Sequence, residues 1–289
     1  MGFEELDLRA WVESASDVEN SEFREAVHTI LSAIASDVEL KANMVLKGGI
    51  LLAIRYQSHR FTKDIDLSTS NTLKDKLTSE YFEEILNKNL KSTVELLDYD
   101  LDCLVQSVKI QPKSPNPTYP SFKIKIGYAY KGSQKHRKLI RGQSPTTISI
   151  DYSLNEAIPN IESLKISDGS GDELLVYSIT DLIAEKYRSL LQQVSRNRNR
   201  RQDVFDLYLI LSKFRDLDSV ETQKVLDALL IKARARGIEP VASSLDNPEV
   251  KRRAEAEYHT LEDEIEGELP DFDASFTIVS DFYRSLPWK

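Results

Sequence analysis

The chain has 289 residues, 40% of them hydrophobic and 29% charged, with a net charge of −9. That composition supports a packed globular core and argues against a sequence-blind nucleic-acid coat, which is basic throughout. A single cysteine, Cys103, excludes an internal disulfide and a multi-thiolate metal centre, and fits a reducing cytoplasm.

In chain order, Phe23, Ala26, Val27, Ile30, Leu31 and Ile34 repeat at helical spacing and predict a helix over Ser21 to Asp37. The acid-rich N-terminal stretch has no apolar run of signal-peptide length. The densest apolar run, Ile50 to Ile54, is far too short to span a membrane. A short strand is expected over Asn43 to Leu46, then Lys47-Gly48-Gly49, then a helix over Ile50 to Tyr56. Asp64 to Thr69 alternates as a strand does, and Glu80 to Asn89 reads as a helix. Ser121 to Tyr130 and Thr146 to Tyr152 alternate apolar and polar residues and predict further strands. Prolines between Gln111 and Pro120 mark a loop, and Ser167 to Asp172 a turn before a last strand, Glu173 to Tyr177. From Ser178 the periodicity is helical, and Ser178 with Asp181 has capping-box spacing. The expectation is an α+β protein: residues 1–177 form a mixed sheet with helices, and residues 178–289 a mainly helical domain. The acidic stretch Glu262 to Glu268 reads as a solvated helix end.

The first constellation with chemistry in it is Lys47-Gly48-Gly49 followed by Asp64-Ile65-Asp66. Residues two apart on a strand share a face, so Asp64 and Asp66 stand together while Ile65 and Leu67 face the core. Two ionised carboxylates this close repel unless a cation lies between them. Hard divalent ions take such oxygens together with substrate phosphates. Glycines at a helix start let backbone amides approach a phosphate. These parts suit a metal-bound nucleoside triphosphate, with Asp64 and Asp66 as ligands of Mg²⁺ or Mn²⁺. Asp151 is a candidate third ligand if its strand neighbours that of Asp64; otherwise it is an exposed edge residue.

The runs Leu46-Lys47-Gly48-Gly49 and Arg60-Phe61-Thr62-Lys63-Asp64-Ile65-Asp66-Leu67 resemble the AbiEii/AbiGii-type nucleotidyltransferase toxins, within the DNA polymerase β-like nucleotidyltransferase superfamily. Ala184-Glu185-Lys186 and Arg201-Gln202-Asp203-Val204-Phe205-Asp206-Leu207 are similar to that family's helical motifs. Thr62 stands where the family often has serine. Gln202 stands where an arginine usually precedes the aspartate, which leaves Arg200 or Arg201 for that role. The resemblance implies a nucleotidyltransferase fold and substrate contacts from Lys47, Gly48, Gly49, Arg60, Thr62, Arg200 and Arg201. It also implies a toxin of a toxin–antitoxin or phage-defence pair that acts on RNA, with the tRNA acceptor end leading, and a cognate antitoxin protein as partner.

Read physically, Ile179, Leu182, Ile183 and Leu190 form one apolar helical stripe with Lys186 inside it. Such a lysine either snorkels outward or meets a partner, for which a triphosphate or carboxylates qualify. Asp203 and Asp206 share a helix side. They either hold Lys186 or an arginine, activate an acceptor hydroxyl, or cap the helix start. Two basic clusters stand out in the acidic chain: Arg188, Arg196, Arg198, Arg200 and Arg201, and Lys131, Lys135, His136, Arg137, Lys138 and Arg141. Each is either a local polyanion site or a solvated segment. Tyr128 and Tyr130 are either base-stacking residues or core. The four histidines show no metal-ligand spacing. Two functions follow. In one, Asp64, Asp66, Lys186, Asp203 and Asp206 serve a metal-dependent nucleotidyl transfer; in the other, the same scaffold is a non-catalytic nucleotide- or RNA-binding regulator.

Overall fold

A computed structural model describes residues 5–72, 78–112, 118–167, 171–214 and 217–289. The chain divides into two compact units. The first comprises Met1–Arg55, Lys63–Glu156 and Glu162–Val176; the second comprises Tyr56–Thr62, Ala157–Ile161 and Tyr177–Lys289. In chain order the sheet-bearing part runs β1 (Glu5–Leu6), α1 (Leu8–Glu13), α2 (Val18–Ala35), α3 (Val38–Asn43), β2 (Val45–Lys47), α4 (Gly48–Tyr56), β3 (Asp64–Ser68) and α5 (Ser79–Leu96). It continues with β4 (Leu101–Gln111), β5 (Ser121–Tyr130), α6 (Gln134–Ile140), β6 (Thr147–Ser153), β7 (Ile161–Ile166) and β8 (Glu173–Tyr177). The helices α7 (Ile179–Gln192), α8 (Arg201–Lys213), α9 (Ser219–Arg234), α10 (Pro248–Glu255) and α11 (Phe272–Ser285) follow, with two short 3-10 turns, Ser244–Asp246 and Tyr258–Glu264.

The eight strands form one mixed sheet in the order β1-β7-β8-β2-β3-β6-β5-β4. β3 is antiparallel to β2 and parallel to β6, and β5 is antiparallel to both β6 and β4. One face carries the core: Ile65, Leu67, Phe122, Ile124, Ile126, Ile148, Ile150 and Tyr152 are almost wholly buried. Phe82 of α5 packs against the rings of Phe122 and Tyr152. The alternate residues of these strands therefore form the opposite, polar face.

Local signals account for most element ends. Asp17, Asp37 and Thr78 cap α2, α3 and α5 by accepting from backbone amides. Several boundaries differ from the sequence expectation, the largest being α5, which runs to Leu96 rather than Asn89. α2 begins at Val18 rather than Ser21, Asn43 closes α3 rather than opening β2, and α4 begins at Gly48 rather than Ile50. The strand β4 had no clear alternation because a bulge lies between Val105 and Ser107. Leu101, Cys103 and Val105 point inward before it; after it Val108 and Ile110 pair with Ile124 and Phe122. A one-residue insertion flips every later side chain to the other face. The expected loop at 111–120 and turn at 167–172 fall in part outside the described residues.

In the second unit the Ser178 hydroxyl accepts from the Asp181 amide. The capping box does not close. The Asp181 carboxylate, fully buried, instead accepts from the Asn160 amide and lies 2.8 Å from Lys232. Burial pushes the Asp181 carboxyl above its ordinary value, against the pull of Lys232. The Glu262–Glu268 stretch is a largely solvated helix end, with Glu262, Asp263, Glu266 and Glu268 exposed. It begins in a 3-10 turn, and Glu264 at the end of that turn is bound by other side chains.

Candidate active site

On the polar sheet face of the first unit, cross-strand register places Lys47 beside Asp66 and Asp66 beside Asp151. Asp64 lies one pleat away on the same face, opposite Ser149. The sheet thus gathers Lys47, Asp64, Asp66 and Asp151 on adjacent strands. Burial and then the charge of Asp151 push the Asp64 carboxyl above its ordinary value, and Lys123 pulls the other way. Lys123 Nζ lies 3.8 Å from Asp151. As they stand, no three acidic, histidine or cysteine side chains among the described residues are grouped to enclose a metal ion.

Gly48 joins β2 to α4 with φ +74, a left-handed conformation suited to glycine. A Cβ there would lie 2.1 Å from Asp66 Oδ2, so the backbone presses directly on that carboxylate. Gly49 follows in the first turn of α4 and is buried.

The second unit holds the other sequence candidates together. Asp206, on α8, is fully buried and accepts from Arg60 Nε and Nη2, each at 3.0 Å, and from Lys186 Nζ at 2.6 Å. Lys186, on α7, also donates to Asp203 Oδ1 at 3.2 Å. The lysine in the apolar stripe has therefore met carboxylates rather than snorkelled. Burial opposes the Asp206 charge, yet Arg60 and Lys186 hold its carboxyl down to about 2. Burial likewise opposes the Lys186 charge, and Asp206 and Asp203 outweigh it, so its ammonium is held more firmly than usual. Asp203 Oδ2 is buried with no hydrogen-bond partner among the described residues, and Arg200 Nε is 4.0 Å from it. Arg201 donates to Glu264 at 2.6 Å and Gln202 to the same carboxylate at 3.0 Å.

Glu264 is the member that sequence reading missed. It also stands 3.9 Å from Arg60, and its carbonyl accepts from the Phe61 amide. Nothing local in the sequence ties it to the Arg60 segment. Thr62 is half-buried at the end of that segment.

Of the basic clusters, Arg196 and Arg198 are exposed. Arg188 does not belong to a solvated run, since it is buried and bonded to Glu185 and Gln192. The second cluster is mostly the helix α6, with Lys131, Arg137, Lys138 and Arg141 exposed and His136 on Asp102. Tyr128 is buried and is not a base-stacking platform.

Two solved structures share this fold. JHP933 from Helicobacter pylori aligns with TM-score 0.52 and 15% identity, over 94% of this chain and 93% of that one. The nucleotidyltransferase toxin MenT4 from Mycobacterium tuberculosis aligns with TM-score 0.51 and 12% identity, over 96% of this chain and 87% of that one. No curated protein sequence matches significantly. The mixed sheet with its helices is therefore a nucleotidyltransferase-type fold. Residues 29–278 match the model described as Nucleotidyl transferase AbiEii toxin, Type IV TA system, and the chain belongs to that family. It is a nucleotidyltransferase toxin, which favours the enzyme over the non-catalytic regulator. Membership implies a nucleoside triphosphate substrate, usually with a divalent metal, and a cognate antitoxin. No helix among the described residues is long and apolar enough to cross a membrane.

Proposed function

We propose that the chain transfers a nucleoside monophosphate from a triphosphate to a hydroxyl of RNA, with the tRNA acceptor end as the leading target, in the cytoplasm and as part of phage defence. The observation that carries this reading is the Lys47–Asp66–Asp151 row, with Asp64 beside it and Gly48 against Asp66.

The donor set suits Mg²⁺ or Mn²⁺. Its ligand atoms are hard carboxylate oxygens, with the Asp64 charge opposed by burial and by Asp151, and phosphate oxygens and water would complete the shell. Asp64 and Asp66 would hold the ion, with Asp151 as a third ligand. When bound, such ions activate the attacking hydroxyl and stabilise the leaving pyrophosphate. The chain's own groups do the rest. The amides at Gly48 and Gly49 approach the triphosphate, and Lys47 lies on the same side to neutralise its tail. The acceptor oxygen forms a bond to the α-phosphorus, the α–β anhydride breaks, pyrophosphate leaves, and the hydroxyl proton departs to a base.

Family likeness assigns catalytic roles to Lys186, Asp203 and Asp206, and within the second unit Asp206, held by Arg60, fixes the Lys186 ammonium. Asp203 Oδ2, buried and without a hydrogen-bond partner among the described residues, is the spare acceptor of this cluster. Thr62, Arg200 and Arg201 contribute to substrate binding, Arg201 from its place on Glu264.

The test is incubation with α-labelled nucleoside triphosphates, Mg²⁺ and total RNA, followed by separation of the RNA species. Label in a tRNA-sized band supports the reading. Label in protein alone would overturn the RNA acceptor while leaving the nucleotidyltransferase intact.

A further inference from the structure

The cross-strand row that carries the carboxylates does not stop at Asp151. Register continues it to Lys123 on β5 and then to Lys109 on β4, and one pleat away Lys125 is the partner of Ser149. Read across five strands, the row is Lys47, Asp66, Asp151, Lys123, Lys109. At about 4.8 Å per strand, Lys123 stands about 10 Å from Asp66 and Lys109 about 14 Å, and Lys125 is about 7 Å along β5 from Lys123. Lys109 and Lys125 are exposed, and Lys123 is half-exposed at 39%. Lys109 faces this side because of the bulge between Val105 and Ser107; in unbroken alternation from Val105 it would point to the core. Of the three lysines, only Lys123 has an acid within ion-pair range among the described residues, Asp151 at 3.8 Å.

This reading rests on the nucleotidyl transfer proposed above. In an in-line displacement the attacking and leaving oxygens lie on opposite sides of the phosphorus. Lys47 and Gly48, assigned to the triphosphate tail, flank the carboxylates on the β2 side. The acceptor must then arrive from the β6–β5 side, where the lysines stand. We infer that Lys123, Lys125 and Lys109 form a phosphate-binding track for the backbone of a single-stranded nucleic-acid acceptor, leading its terminal hydroxyl to Asp66 and Asp151.

A fluorescein-labelled single-stranded oligoribonucleotide, titrated with the full chain at several salt concentrations, tests the track. The Lys109→Gln/Lys123→Gln/Lys125→Gln triple variant is expected to bind at least about tenfold more weakly at low salt. Its log–log salt slope should be shallower by about 2, at about 0.7 per lost contact. The corresponding triple arginine variant should restore both, and affinity for a fluorescent triphosphate should be unchanged in each. Unchanged RNA affinity and slope in the glutamine variant would overturn the track, leaving the transfer reading standing if wild-type chain still labels RNA. Weakened triphosphate binding with unaltered RNA binding would overturn it too, by assigning the lysines to the donor. A wild-type chain that neither binds nor labels RNA would overturn the track and the RNA acceptor together.

Discussion

A side chain on Gly48 would collide with Asp66: the Cβ position lies 2.1 Å from Asp66 Oδ2. The contact couples the turn into α4 to the carboxylate row. Gly48→Ala should displace Asp66 and place alanine at φ +74, at a strain of about 1–3 kcal/mol. The expected result is severe loss of nucleotide transfer with a modest drop in melting temperature. Near-normal transfer would show that Asp66 need not sit where it does.

Removing Asp206 should cost far more stability than removing Lys186. Asp206→Ala leaves Arg60 and Lys186 buried without their shared acid, a loss of about 3–5 kcal/mol. Lys186→Met leaves Asp206 with both Arg60 bonds, so its cost should be smaller. Turnover should still fall about 10²–10³-fold, as for loss of a positioned charge at a transition state. Urea melts and initial rates check this order. A Lys186→Met variant that keeps full turnover would reduce the whole cluster to a structural role.

The same carboxylate gives a signed pH dependence. Its folded value, about 2, is below its ordinary 3.8. Ionised Asp206 therefore adds stability that is fully present above 3.8 and is lost as pH falls towards 2. Wild-type chain should lose stability across that window, and Asp206→Asn should lose less over the same range. Parallel curves from acid-range melts would contradict the assignment.

Arg196→Ala/Arg198→Ala/Arg200→Ala tests the run before α8. If those side chains carry RNA, affinity should fall and the salt slope flatten by about 0.7 per contact on single strands. Triphosphate affinity should hold. An unchanged slope would make the run a solvated segment and direct attention to α6.

Elements whose information is local could be read from the sequence. β3 alternates cleanly because one face is core and the other polar, and Ser178 caps α7 by a contact three residues long. The pairing of Asp64 with Asp66 follows from strand period alone. What resisted reading depends on register or on distant partners. β4 was hidden by its bulge, so Lys109 could not be assigned a face. α6 was hidden because only Leu139 of its seven residues is buried. Glu264 reaches Arg60, Arg201 and Gln202 across long chain separations, and no short motif marks it. Arg60 looked like a substrate contact from its neighbours, and only the fold reveals its two bonds to Asp206.

The central claim is that the Asp64–Asp66 pair is the transfer centre. Its most direct measurement compares covalent transfer of an α-phosphate label by wild-type, Asp64→Asn and Asp66→Asn chains, each also followed by thermal melting with and without Mg²⁺. The account predicts no transfer by either variant, and for Asp64→Asn an apo melting temperature equal to or above wild type, because burial and Asp151 oppose the Asp64 charge. It also predicts that Mg²⁺ raises the melting temperature of wild type alone. Wild-type transfer rates in both variants would contradict it.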